Sequence, residues 1–76
     1  MSSTKQCRAA RELLEWKQKD LGEKSSVAVS TIADFERGKS QPRARTMADI
    51  KRTFEEAGIE FLNGAEGFGV KLLENK

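Results

Sequence analysis

With 76 residues the chain has room for one domain, and a chain this short buries only about 60% of the surface its extended form exposes, which excludes a large enclosed active site. Histidine is absent and Cys7 is the only cysteine, so the commonest general base, the commonest metal ligand, an intrachain disulfide and a thiolate cluster are all missing, and neither an enzyme nor a cofactor or metal is expected. The net charge of +2 is unevenly spread: residues 1–45 carry ten Lys/Arg against six Asp/Glu, and residues 46–76 carry four against six.

That polarity suits a domain that turns one side toward a polyanion. No apolar run is long enough to span a membrane and no signal-peptide pattern opens the chain, so a cytoplasmic protein is expected.

In chain order, Ser3 or Thr4 is the expected N-cap of a first helix over Lys5–Leu14, which buries Cys7, Ala10 and Leu14 with Leu13 nearby. Cys7 reads as a small buried apolar group. Trp16 reads as a partly buried plug between this helix and the next segment.

Residues 18–37, QKDLGEKSSVAVSTIADFER, read as two short helices around a sharp corner at Ser25-Ser26. Leu21 is the single large apolar residue of the first, Val27 turns back to the core, and Ile32 and Phe35 share the inner side of the second. The opposite side, Val29, Ser30, Ala33, Asp34 and Arg37, is small or polar, so this helix can approach a surface closely.

Gly38–Arg45 is a loop by its Gly, Ser and Pro content. Gly38 suits a left-handed cap, and Pro42 prevents the helix from resuming at once. A further helix over Arg45–Ala57 follows, with Met47, Ile50, Phe54 and Ala57 on its core stripe and Gly58 ending it. Strand spacing then replaces helical spacing: Ile59 and Phe61 alternate with Glu60, and Val70 and Leu72 with Lys71. A short hairpin of 59–62 and 69–72 is expected around the Asn-Gly pair and its neighbouring glycines.

The segment from Gln18 through Leu21 and Val27 to STIADFERG, Ser30 to Gly38, resembles the helix-turn-helix of the Cro and phage-repressor type, the XRE family of transcription regulators. With Arg11 before it and PRARTMADI after it, the resemblance covers roughly residues 6–61. It implies a mainly α fold, a compact four- to five-helix repressor-like domain, to which the strand spacing adds a short C-terminal β-hairpin. Residues 1–58 would be the DNA-binding domain and 59–76 a hairpin extension. It also implies that Arg11 pairs with Glu36 of the ERG ending as scaffold, a carboxylate held in two parallel hydrogen bonds by a guanidinium.

The base-contacting positions that the resemblance implies fall on Ala28, Val29, Ser30 and Asp34. Val29 or Ala33 could touch a thymine methyl, Ser30 could bond to several bases, and Asp34 could accept from a cytosine amine, or else bond to Arg37 or Ser30. No Arg, Asn or Gln precedes Arg37 on this face, so DNA shape is expected to carry part of any specificity. The phosphate candidates are Gln18, placed at a helix N-terminus where an anion is favoured, with Lys17, Thr31, Arg37, Lys39, Ser40, Arg43 and Arg45.

Departures from the family pattern are visible. Lys17 and Ala28 stand where capping Ser or Thr is usual, Glu15 and Ser26 replace turn glycines, and Gly22 replaces a packed alanine. One reading helix covers only a few base pairs, so double-stranded DNA and a second copy of the chain are the expected partners. Ile59, Phe61, Phe68, Val70 and Leu72 of the hairpin are the expected dimerisation residues, with the hairpin's free edge either joining a second copy's edge or docking on the last helix. The rival is a protein-binding antitoxin or anti-activator module on the same scaffold, with a regulatory protein as partner. No small-molecule substrate or membrane is expected.

Overall fold

The computed structural model describes residues 4–64 and 67–73, those at 63, 64, 67 and 68 by their backbone alone. Four helices, α1 (Thr4–Leu13), α2 (Gln18–Ser25), α3 (Val29–Glu36) and α4 (Ala44–Glu56), precede an antiparallel hairpin of β1 (Ile59–Gly64) and β2 (Gly67–Leu72). The helices fall within one residue of the expected limits because their apolar stripes and breakers are explicit, with Ala28 and Arg37 as the caps of α3.

The hairpin extends beyond the expected strands. Asn63 pairs with Phe68 and Gly64 with Gly67, so the Asn-Gly pair continues the ladder instead of turning the chain. The expected N-cap Ser3, and residues 65 and 66, lie outside the described residues.

Two corners force non-glycine residues into the left-handed region: Glu15, with φ 58°, after α1 and Ser26, with φ 61°, after α2. The α2 corner closes with the Ser26 and Val27 N–H groups donating to the Gly22 carbonyl. Gly38 and Gly58 end α3 and α4 with φ of 74° and 98°, where glycine carries no Cβ penalty.

All four helices and β1 contribute to one core. Cys7 and Ala10 enter from α1, Leu21 from α2, Ile32 and Phe35 from α3, Ile50 and Phe54 from α4, and Ile59 from β1. Leu14, Trp16, Val27, Met47, Phe61 and Val70 pack around them, while Leu13 is 43% exposed and takes no part. Trp16 stacks on Phe54 at 5.8 Å between ring centres, and Phe54 meets Phe61 edge-on at 5.9 Å. The aromatic line thus runs from the α1–α2 corner through α4 to the hairpin, with the Lys24 ammonium 5.3 Å from the Trp16 ring centre.

Gln6 ties the hairpin to α1. Only 2% exposed, its amide donates to the Leu62 and Gly69 carbonyls at 3.2 and 3.0 Å. Within the chain, Ile59 is a core residue and Phe61 and Val70, half-buried, pack on the core; an isolated two-stranded hairpin is marginal, and packing on its own helices supports it. Leu72 remains 42% exposed, and the Phe68 side chain lies outside the described residues.

Candidate nucleic-acid interface

The candidate interface begins at the start of α2. Lys17 is its N-cap in extended backbone and offers no cap acceptor, since an ammonium only donates. Half a capping box survives, with the Lys17 N–H donating to Asp20 Oδ2 at 2.8 Å. Gln18 follows as the first helical residue, half-buried. Its side-chain amide donates to Glu36 Oε1 at 3.0 Å, which uses one of its two N–H donors.

Glu36 is where three helices meet. Arg11 of α1 holds it in two parallel bonds, Nε to Oε2 at 2.9 Å and Nη2 to Oε1 at 3.0 Å. Gln18 of α2 adds its amide, and the Cys7 thiol donates to Oε2 at 3.5 Å. A third Arg11 bond, Nη1 to the Trp16 carbonyl at 3.0 Å, fixes the chain just before α2. The two charged side chains are 16% and 3% exposed, which separates this pair from surface pairs.

Burial alone would raise the Glu36 carboxyl, but hydrogen bonds from Arg11 and Gln18, the Arg11 charge and the Cys7 thiol outweigh it and hold the group below the ordinary carboxylate range. The hydrogen bond to Glu36 raises Arg11 despite some desolvation. Burial pushes the Cys7 thiol up, and the neighbouring carboxylate pushes it further, so it stays protonated and serves as a donor. The consequence for α3 is mechanical: its last turn is tied to both preceding helices.

With Ile32, Phe35 and Glu36 buried behind it, α3 presents its other side outward. Ala28, Val29 and Ser30 are exposed at its start, and Thr31, Ala33 and Asp34 are half-buried. Val29 and Ala33, and likewise Ser30 and Asp34, are four apart and share one face. Asp34 is engaged by Arg37, whose Nη2 donates to Oδ1 at 2.8 Å. Lys39, Ser40, Arg43 and Arg45 are exposed on the segment from the end of α3 into α4, and the Lys39 N–H donates to the Asp34 carbonyl at 2.8 Å.

Three contributors escaped the sequence reading. Gln6 gave one signal, a polar residue beside Cys7 and Ala10 on the buried stripe of α1, but its use depends on the hairpin docking there. The Gln18 and Cys7 bonds to Glu36 follow from the way three helices converge and have no local signature. Among the described residues no group of three or more His, Cys, Asp or Glu could hold a metal ion, and no helix is long and apolar enough to cross a membrane.

A three-helix knot around one carboxylate, a left-handed corner between two eight-residue helices and an outward face of small residues define a helix-turn-helix domain. The sequence profile of the helix-turn-helix family of the Cro and phage-repressor type matches residues 8–58. The chain belongs to this family, the XRE family of DNA-binding transcription regulators, which is not an enzyme family. No curated protein sequence matches the chain.

Proposed function

We propose that the chain is a sequence-specific regulator, a repressor or autoregulator, that binds a two-fold operator as a homodimer with α3 in the major groove. The observation that carries this is the start of α3: Ala28, Val29 and Ser30 stand exposed on a helix whose other side is locked by Ile32, Phe35 and Glu36. Side chains this short let the helix backbone approach base edges, with Ala33 and Asp34 following one turn later. The Arg37 bond leaves Asp34 partly neutralised, which lowers its repulsion from phosphate.

Lys17, Thr31, Arg37, Lys39, Ser40, Arg43 and Arg45 grip phosphates, and Gln18 contributes through the N-terminus of α2. With roughly four charges per subunit on phosphates, the log–log slope of affinity against salt for a dimer is about −7. Two reading helices would then lie about 34 Å apart on the duplex. Pairing of copies uses the outer side and edges of the hairpin, where Leu62, Leu72 and Leu73 are 44%, 42% and 44% exposed.

The test is a titration against the DNA upstream of the protein's own gene, at several salt concentrations, with Arg43→Ala, Arg45→Ala beside the wild type. Specific, salt-steep binding that weakens in the variant supports the reading; wild-type binding no tighter than to random DNA removes it. A protein-binding antitoxin or anti-activator role is the second reading, favoured by the absence of a side-chain cap on α3 and of Arg, Asn or Gln on its face before Arg37. Binding of that kind need not show the steep salt slope.

A further inference from the structure

Gly22 lies in the interior of α2, buried, and its backbone is not in the left-handed region. Glycine in a helix interior weakens the helix relative to alanine, and no backbone requirement explains it here. The explanation is on its outer side. A Cβ at this position would lie 2.9 Å from Val29 Cγ2 and 3.0 Å from the Val27 carbonyl oxygen, with the Val29 nitrogen at 3.7 Å. Favourable carbon–carbon contact begins near 3.5 Å. The space that an alanine methyl would fill is taken by the valine.

Val29 is the first residue of α3 and keeps 41% of its surface exposed. A β-branched side chain in a helix has one strongly preferred χ1. With Cγ2 lodged where a Cβ at position 22 would stand, the direction of the exposed part is set as well. The corner closes through the same residue, since the Val27 N–H donates to the Gly22 carbonyl at 3.2 Å.

We infer that Gly22 is a positioning residue for the reading helix: by leaving room for Val29 Cγ2 it seats the start of α3 against α2 and fixes how Val29 faces a base. This rests on the DNA reading above. Gly22 touches no DNA itself. Its effect passes through Val29 and, more weakly, through the Val27 carbonyl.

The test is a cycle of four proteins, wild type, Gly22→Ala, Val29→Ala and the double variant. Melting temperature, the amide resonances of residues 27–30 and the preference for the upstream duplex over a scrambled one are measured on each. Alanine is the better helix former, so without the clash Gly22→Ala raises the melting temperature equally in both backgrounds, and that result overturns the inference. The expected result is that Gly22→Ala lowers it in the wild type and lowers it much less, or raises it, beside Val29→Ala.

Gly22→Ala is also expected to shift the amides of residues 27–30 and to cut the duplex preference at least tenfold with the salt slope unchanged. A merely destabilising change would leave the preference of the folded fraction intact, and that outcome also overturns the inference. If Gly22→Ala does not fold, Val29→Ala against wild type decides: an unmoved Gly22 amide resonance refutes the contact. If the wild type shows no preference among duplexes, the DNA reading fails, and the thermal cycle still settles whether Gly22 and Val29 are coupled.

Discussion

Replacing Glu36 by glutamine tests whether the three-helix knot holds α3. The substitution keeps the shape but turns one oxygen into an NH2 group, and either orientation sets that group against an Arg11 N–H, at Nε or at Nη2. It also leaves the Arg11 charge, only 16% exposed, without its counter-charge. Breaking one side of such a pair costs about 3 kcal/mol, the low end for buried pairs because Arg11 keeps some water and its bond to the Trp16 carbonyl. A domain of this length holds roughly 4–11 kcal/mol in total, so the variant folds with a much reduced margin. The melting temperature should fall by about 12–24 °C.

The pH dependence supplies a second check. The Glu36 carboxyl is held below its ordinary value of 4.5 in the folded chain. Its contribution is therefore fully present above that value and is lost as pH falls through the lower folded value. Urea denaturation at about pH 7 and about pH 3 should show a large gap between wild type and Glu36→Gln that narrows in acid. Asp34→Asn serves as the control, because its partner Arg37 is 67% exposed and such pairs contribute about 0–1 kcal/mol. A Glu36→Gln cost no larger than that of Asp34→Asn, or a gap unchanged in acid, would refute the reasoning.

Ser26→Gly relieves a left-handed non-glycine corner and should stabilise the chain by about 1 kcal/mol at most, since glycine also gains freedom when unfolded; a loss in thermal denaturation counts against the corner geometry. Lys17→Ser supplies the missing cap acceptor opposite Asp20 and should add about 1 kcal/mol by urea denaturation, an effect absent if the α2 start is already satisfied. Cys7, buried and held protonated, should react with a thiol-specific reagent only as fast as the chain unfolds; rapid labelling of the native protein would contradict its placement.

The sequence shows the fold wherever one residue's chemistry decides the local backbone. Leu21, Ile32, Phe35, Ile50 and Phe54 reach the core as their helical spacing requires, and Glu15 and Ser26 take the left-handed conformations that their replacement of turn glycines implies. It is silent where a residue's role depends on a distant surface. Gln6 meets strands more than fifty positions away, and the Gln18 amide turns inward because Glu36 lies beneath it. The hairpin shows both sides of this. Its alternation placed Ile59, Phe61 and Val70 on one face, but alternation does not name the surface that face meets within the chain, and there it packs on the helical core.

Selecting binders from a pool of randomised duplexes shows whether the outward face of α3 reads DNA in a two-fold arrangement. The expected result is enrichment of a two-fold related sequence with half-sites about 34 Å apart, one turn of the duplex, and loss of that enrichment when Val29 and Ser30 are both replaced by bulkier residues while the fold persists. A pool that emerges without enrichment, or an enriched sequence with no two-fold relation, would contradict it.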